Sequence, residues 1–370
     1  MKPRIVMSVF NNLRTDQRVE KICESLHADG YRVELIGNNW RGEPDLKRPY
    51  SWRRLKLRSK TLKFAYLEWQ WKLYRHLMKT ADTDTILVAN DLDCLWPNVR
   101  VARKKNIPLV YDSHEIFTEM PSVTGRPVQR LWRLLERRLM PKVNYMMTVN
   151  DSCADWFSQV YKITRPTVVR NVPRRQEWKG FPGPNKKKTI IYQGAVNPSR
   201  GIDKAIRAMQ FLPHARLLIA GEGPAEKEYR DLAIALNLND RVEFLGNLAP
   251  EELRKVTERA DAGLSIEEPD GLSYLYSLPN KVSDYIQARV PVVLAPLPEL
   301  KRIAAEHKVG ELLTSREPEK LAATIDKVLE NGRAFYLPGL SAAAEKLNWE
   351  HEQPKLLDLY ERVCRDRELR

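Results

Sequence analysis

The 370 residues have room for about two domains of ordinary size, and a hydrophobic content of 43% is enough to build their cores. The formal net charge of +14 indicates an anionic partner, such as a phosphorylated substrate, an acidic membrane surface or nucleic acid. The four cysteines are scattered without metal-ligand spacing, which argues against a structural zinc site and fits a reducing cytosol. No apolar stretch is long enough for a signal peptide or a membrane span, so we expect a cytoplasmic chain.

The first 37 residues have the pattern of a strand, a helix and a second strand. Residues 4–10 are a short apolar run, Gly30 ends the helix, and YRVELIG follows as the next strand. The helix has one apolar face, formed by Val19, Ile22, Cys23 and Leu26. This order predicts a parallel sheet with right-handed crossovers. The first loop has no GxGxxG motif, which gives little support to a dinucleotide dehydrogenase.

Two segments of the first half are both basic and rich in large apolar residues, at 51–80 and 126–142. One interpretation is a surface for an anionic membrane, with aromatic rings at the interface and cations on lipid headgroups. The other is a pair of partly buried helices whose basic faces are solvated. The sequence leaves both interpretations open.

Polar residues follow two predicted strands between these segments. Asp91 and Asp93 come after the strand in TILVAN, and Asp112, His114 and Glu115 come at the end of the next strand. Ligands of open parallel sheets gather at the carboxyl ends of the strands. A histidine at this place donates to a phosphate or a sugar hydroxyl, or it is a structural residue with satisfied hydrogen bonds.

A linker rich in proline, glycine and lysine, at 176–188, precedes a second series of strands and helices. The strand at 189–193 leads into a turn at Gly194, and Arg200 and Lys204 lie one helical turn apart just beyond it. Two cations beside a helix start predict a diphosphate site. Gly221 and Gly223 then allow a sharp turn under a ligand.

The stretch from 273 to 295 has the pattern of a loop, a short helix and a buried strand. We expect Ser277 to cap this helix and Pro279 to lie in its first turn. A phosphate could bind to the free amides and Lys281, with the hydroxyls of a ribose on Asp284. The alternative is a solvated ion pair on an ordinary helix surface.

The segment PNKVSDYIQARVPVV resembles the donor-site segment of the retaining glycosyltransferases of family four, which have the GT-B fold. YDSHE resembles the family's active-site loop, and GEGP, DRVEFLG and RADAGLS resemble its carboxyl-terminal domain in the same order. The resemblance implies an α/β fold of two facing Rossmann-like domains with parallel sheets and a C-terminal helix that returns to the first domain. It places the first domain at 1–175 with helix 349–370, the linker at 176–188 and the donor-binding domain at 189–348.

The resemblance also implies the reaction. A hexosyl group would pass, with retention of configuration, from a nucleotide sugar, with UDP or GDP, to a saccharide or lipid-linked acceptor in surface-polysaccharide or glycolipid synthesis. No metal and no other cofactor is expected. The catalytic residues implied are His114, Arg200 and Lys281. The nucleotide-sugar residues implied are Gly194, Arg200, Lys204, Gly221, Gly223, Phe244, Gly246, Ser277, Asn280, Lys281 and Asp284. The acceptor-side residues implied are Asp16, Arg18, Asp91, Asp112 and Glu115.

The sequence departs from the family pattern at two positions. Tyr276 stands where the family has the first of two glutamates, and Ala195 stands where many members have an arginine. Glu267 and Glu268 lie upstream as substitutes for the missing carboxylate. A sugar-nucleotide epimerase and a non-catalytic sugar-nucleotide binder therefore remain as alternatives. Nucleic acid is not expected as a partner, because no nucleic-acid motif accompanies the charge.

Overall fold

A computed structural model describes residues 2–14, 16–183 and 185–368. The predicted domain and linker ranges also include Met1, Thr15, Pro184, Leu369 and Arg370, which lie outside the described residues. The chain divides into two compact units. The first unit is Met1–Asn171 together with Glu352–Arg370, and the second unit is Val172–His351.

The first unit is a parallel sheet with helices. Its strands are β1 (Arg4–Ser8), β2 (Arg32–Asn38), β3 (Ser51–Leu55), β4 (Thr85–Asn90), β5 (Leu109–Ser113), β6 (Tyr145–Thr148) and β7 (Thr167–Val168). Its first helices are α1 (Gln17–Ala28), α2 (Leu62–Thr80), α3 (Leu92–Lys105), α4 (Pro127–Leu139) and α5 (Asp151–Tyr161). Single 3-10 turns occupy Phe117–Glu119 and Met140–Lys142.

Among the described residues the sheet of the first unit has the order β3-β2-β1-β4-β5-β6-β7. Every neighbouring pair is parallel. The order reverses between β1 and β4, so the carboxyl ends of these two strands form the crevice in which such sheets bind ligands. The predicted apolar face of α1 is confirmed, because Val19, Ile22, Cys23 and Leu26 are all buried.

The second unit repeats this architecture. Its strands are β8 (Lys188–Gln193), β9 (Ala215–Ala220), β10 (Val242–Gly246), β11 (Ala262–Ser265), β12 (Val292–Leu294) and β13 (Gly310–Leu312). Its helices are α6 (Ile202–Ala208), α7 (Glu226–Ala235), α8 (Pro250–Glu258), α9 (Leu272–Leu275), α10 (Asn280–Gln287), α11 (Pro298–Glu306) and α12 (Pro318–Lys346). A 3-10 turn occupies Met209–Phe211, and α12 is broken at Gly332, whose φ and ψ are not helical.

In the described part of the second unit the parallel strands have the order β10-β9-β8-β11-β12-β13. The reversal lies between β8 and β11, so the loops after these strands are where a ligand is expected. β8 is buried from Thr189 to Gln193 and β11 is buried along its whole length, which is the pattern of a sheet with helices on both faces.

The last helix, α13 (Trp349–Glu368), is counted mainly with the first unit. Tyr360 packs against Tyr31 with ring centroids 6.1 Å apart, and Arg362 donates to Thr167 at 2.9 Å. The predicted return of the C-terminal helix to the first domain is therefore confirmed. No helix among the described residues combines the length and the hydropathy needed to cross a membrane.

Two local expectations are corrected by the structure. The segment 51–80 is helical only from Leu62 onward, since Ser51–Leu55 pairs with β2 as the edge strand β3. Ser277 does not cap α10, because Pro279 is at the cap position and the Ser277 hydroxyl donates to the carbonyl of Tyr274 at 2.8 Å. Ser277 thus closes the turn after α9 and leaves the amides of α10 free of a side-chain cap.

Candidate functional site

His114 is the centre of a polar cluster at the carboxyl ends of β4 and β5. Its backbone N–H donates to Asp91 at 2.9 Å, and its Nδ1 lies 3.3 Å from the second oxygen of Asp91. Its Nε2 lies 3.2 Å from Asp112 and 3.3 Å from the Asn90 amide oxygen. Because carboxylate oxygens only accept hydrogen bonds, both ring nitrogens must carry hydrogen for these contacts to be favourable.

The charges around His114 fix its protonation. Burial by itself would lower the pKa of His114, but Asp91 and Asp112 outweigh burial and raise it to about 10. Burial would raise the pKa of Asp112, and Arg18 and His114 instead lower it to about 2. The imidazole is therefore a cation at neutral pH, and this cluster holds it as a hydrogen-bond donor and not as a general base.

Arg18 holds the Asp112 carboxylate of this cluster in place. Its guanidinium binds Asp112 through two hydrogen bonds, of 3.0 and 2.7 Å, and also donates to the carbonyl of Val169 at 2.6 Å. Arg18 and Asp112 are both buried. Asp16 caps α1 by accepting from the N–H of Val19 at 3.1 Å. These three predicted acceptor-side residues thus position the cluster and helix α1.

Asp91 is held in an unusual backbone conformation, with φ 58° and ψ 169°. An L-residue occupies this region only at a cost, and such strain is concentrated at functional sites. Burial raises the pKa of Asp91, while His114 opposes that increase. Glu115, the fifth predicted acceptor-side residue, is exposed beside this cluster. Of the five predicted acceptor-side residues, Glu115 is therefore exposed, Asp16 and Asp91 are half-buried, and Arg18 and Asp112 are buried.

Three glycine-containing loops of the second unit are stacked on one another at the carboxyl ends of β8, β9 and β10. The N–H of Gly194 donates to the carbonyl of Ala220, and the N–H of Gly221 donates to that of Gly246. A Cβ on Gly221 would lie 2.0 Å from the carbonyl oxygen of Gly194, and one on Gly223 would lie 2.2 Å from that of Val196. The backbone packing excludes a side chain at both positions.

Lys281 lies beside the first of these loops. Its ammonium is 2.8 Å from Glu267 and 3.8 Å from the centre of the Tyr192 ring, and an added Cβ on Gly194 would be 3.8 Å from it. Lys281 and Glu267 are both buried. Burial would raise the pKa of Glu267, but Lys281 outweighs burial and lowers it. The structure therefore places a buried ion pair at the reversal of the strand order.

Asp284 has a different partner from Lys281, although both lie on α10. The side-chain amide nitrogen of Gln193, at the end of β8, donates to Asp284 at 2.9 Å. The amide oxygen of Gln193 accepts from the hydroxyl of Thr257 at 2.7 Å. Asn280 begins α10 and is exposed. The interpretation of Lys281 and Asp284 as a solvated ion pair is therefore wrong, since each side chain is held by another strand or loop.

Arg200 and Lys204 contact the segment that carries Glu267 and Lys281. The guanidinium of Arg200 lies 4.3 Å from the centre of the Tyr274 ring, and Lys204 is 3.6 Å from Glu268. Gly201 lets this loop approach closely, because a Cβ there would lie 2.6 Å from the carbonyl oxygen of Ile266. The three predicted donor-side cations thus all contact the segment between β11 and α10.

Phe244 and Gly246 lie on the outer strand β10. The guanidinium of Arg230 covers the Phe244 ring at 4.5 Å, and the strand pairing shifts in register between Phe244 and Gly246. Gly246 has a φ of 66°, which favours glycine. This irregular end of β10 accepts the hydrogen bond that holds the loop of Gly221.

Sequence reasoning missed Asn90 and Gln193 and named Glu267 only as one of two substitute carboxylates. Asn90 and Gln193 each end a strand and contact His114 and Asp284, respectively, and Glu267 lies two residues after the end of β11. A rule that counts every polar residue at the end of a central parallel strand, or within two residues after it, as a site candidate would have found all three.

The chain matches two protein-family models. Residues 16–172 match the model described as Glycosyltransferase Family 4, and residues 174–337 match the model described as Glycosyl transferases group 1. A D-inositol 3-phosphate glycosyltransferase of Mycolicibacterium smegmatis is 31% identical over 192 residues, which are 50% of this chain and 42% of that protein. The matched stretch spans 40 to 44% of the length of such curated relatives.

Solved structures agree in fold. A sucrose-phosphate synthase of Thermosynechococcus elongatus has a TM-score of 0.82 and 16% identity, covering 99% of this chain and 100% of that one. Anabaena HepE in complex with UDP-glucose has a TM-score of 0.73 and 16% identity, covering 98% and 99%. With two parallel Rossmann-like sheets and both family models matched in order, the chain belongs to family four of the glycosyltransferases with the GT-B fold.

Proposed function

We propose that this glycosyltransferase transfers a hexosyl group from a UDP- or GDP-sugar to a saccharide or lipid-linked acceptor, with retention and without a metal ion. The observation that carries the proposal is the buried Lys281 beside the Gly194 loop, together with Arg200 and Lys204, which contact the segment between β11 and α10. Cleavage of the bond between sugar and diphosphate leaves negative charge on phosphate. Cations fixed in advance stabilise that charge in the transition state.

The roles follow from this arrangement. Lys281 and Arg200 bind the diphosphate, Lys204 supports them, and Asp284 binds the ribose hydroxyls. Glu267 supplies the carboxylate that Tyr276 lacks, because it is ionised and within 2.8 Å of Lys281. In the first unit the His114 cation donates to a sugar hydroxyl or phosphate, and Asp91 and Glu115 contact the acceptor. UDP and UDP-glucose, which HepE of Anabaena holds in its complexes, are the first donors to test.

The setting of the reaction is part of the same proposal. We place it in the cytoplasm, in the synthesis of a surface polysaccharide or glycolipid, with peripheral association to an anionic membrane through 51–80 and 126–142. Support comes from the cysteines, none of which forms a disulfide within the described residues, and from the basic character of both segments.

A thermal-shift screen over nucleotide sugars tests donor binding, since a ligand raises the melting temperature according to its affinity. The donor found is then incubated with acceptor pools, and the anomeric configuration of the product is read by NMR, with and without EDTA. Arg200→Ala should depress turnover by about tenfold or more. Arg254→Ala is the matched control, because within the described residues the one ion pair of Arg254 is the exposed pair with Glu258 on α8.

Three outcomes would reject parts of the proposal. Normal turnover of Arg200→Ala would remove the phosphate role of that residue. Interconversion of nucleotide sugars without acceptor would indicate an epimerase. Donor binding without turnover over a broad acceptor panel would indicate a non-catalytic binder.

A further inference from the structure

A basic groove lies in the first unit between helices α2, α3 and α4, a cavity of about 550 Å³. Five cations line it: Arg100, Arg103, Lys104, Arg138 and Lys142. None of the described residues that line it is acidic, and within the described chain none of the five cations has an ion pair. The same unit does pair other cations, such as Arg133 with Glu119 at 2.7 Å. The groove therefore concentrates uncompensated positive charge.

Apolar stripes on two helices lead into the basic groove. On α4, Val128, Leu131 and Leu135 are spaced as neighbours on one face, and Arg138 continues that face into the groove. On α2, Leu67, Trp71 and Tyr74 do the same, with the rings of Trp71 and Tyr74 stacked at 6.2 Å. Tyr74 contacts Trp96 in the groove wall, with ring centroids 5.9 Å apart.

Four of the six residues in these stripes are exposed, and Leu135 and Tyr74, next to the groove, are half-buried. Leu131 is 64% exposed, Leu67 is 62% and Trp71 is 56%. Of the nine large apolar side chains that are exposed in the described first unit, seven lie on α2 or α4: Leu62, Phe64, Leu67, Trp71, Val128, Leu131 and Leu134. Such a concentration of apolar surface marks an interaction site. The two helices are also in direct contact, since the Tyr66 and Trp132 rings are 5.9 Å apart.

We propose that the basic groove binds the phosphate headgroup of an anionic phospholipid while the exposed stripes of α2 and α4 enter the acyl layer. Charge selects an anion, and the apolar stripes that continue from the groove select an anion joined to hydrocarbon. Nucleic acid satisfies the cations but offers nothing to the aliphatic Val128, Leu131 and Leu134. The inference rests on the proposed membrane association and is independent of the transfer reaction.

The test is co-sedimentation of the full chain with vesicles of phosphatidylcholine, alone or mixed with phosphatidylglycerol, at low and high salt. Wild type should bind the mixed vesicles at low salt and lose much of that binding at high salt. Arg103→Glu/Arg138→Glu should weaken binding by about tenfold or more, because each cation near such a surface contributes substantially. Leu131→Ser/Leu134→Ser should weaken it while keeping the salt dependence. All four substituted residues are exposed, and the melting temperature of each variant is measured to check that it folds.

Lys255→Glu/Lys301→Glu, an equal change of charge on exposed positions of the second unit, is the control and should bind as wild type does.

Equal binding by wild type and the groove variant would overturn the groove assignment and leave membrane association standing. Absence of binding to mixed vesicles would overturn both. Competition by inorganic phosphate alone would assign the groove to a free anion. RNA binding lost with the groove variant, without vesicle binding, would assign it to nucleic acid. Turnover with a water-soluble acceptor, measured for every variant, separates these outcomes from failure of the transferase proposal.

Discussion

Lys281→Met is the most informative single change in the second unit. It removes one partner of the 2.8 Å pair and leaves Glu267, which is fully buried, with the hydroxyl of Ser265 as its other side-chain donor. Breaking a buried pair in this way costs about 3–5 kcal/mol. For a unit of this size, about 3 kcal/mol corresponds to a fall in melting temperature of about 6–12 °C.

The pH dependence identifies the cause. In Lys281→Met, burial raises the pKa of Glu267 above its unfolded value, so the folded variant takes up a proton. A group with a raised folded pKa loses its contribution to stability as pH rises through that pKa. The stability gap between wild type and variant should therefore be larger at about pH 8 than at about pH 5. Calorimetry at both pH values measures it.

Lys281→Met/Glu267→Gln separates stability from function. Removing both charges should recover part of the lost melting temperature, because no unpaired buried charge remains. Turnover should stay about tenfold or more below wild type, since the phosphate-binding cation is still absent. Additive stability losses in the double variant, or restored turnover, would refute the reasoning.

Three further changes probe the two sites. The His114 cation stabilises wild type fully below its unfolded pKa, and this contribution is lost as pH rises through the folded pKa of about 10. His114→Gln should therefore lose less stability than wild type over the same alkaline range. Identical alkaline melting curves for the two proteins would contradict this. Gly221→Ala should cost about 3 kcal/mol or more and abolish the thermal shift by nucleotide sugar, because its Cβ would lie 2.0 Å from the carbonyl oxygen of Gly194. Gly180→Ala, with a φ of 95° and nothing within 4 Å of the added Cβ, is its control and should leave that shift intact. Burial raises the pKa of Asp93 to about 8, so the buried carboxyl destabilises the folded protein increasingly as pH rises toward that value. Asp93→Asn should therefore raise the melting temperature more at about pH 8 than at about pH 5. An equal gain over wild type at both pH values would count against it.

Local sequence patterns were sufficient for the secondary structure near both sites. The apolar face of α1, the glycine turn after β8 and the short helix at 280–287 were all predictable, because each depends on residues a few positions apart. The family resemblance added the order of these elements along the chain. The cap of α10 and the strand at 51–55 were not predictable, since the first depends on a competing turn and the second on an edge of the sheet.

The partners of the charged side chains were decided by the tertiary structure. Arg18 binds Asp112 across 94 positions, and Gln193 binds Asp284 across 91. Lys281, which has Asp284 one turn away, pairs instead with Glu267. Such contacts follow from which strand lies beside which, and the reversal of strand order brings together loops that are distant in sequence.

By itself, the sequence determined the alternation of strands and helices, the glycines that the loops require and the excess of positive charge. Only the folded chain decided which charges are buried and neutralised and which are left exposed. Lys281 is buried because α10 packs against β11, whereas the five cations of the basic groove remain in contact with water. The physical reason is that burial and charge pairing depend on distances in space, which local patterns do not encode.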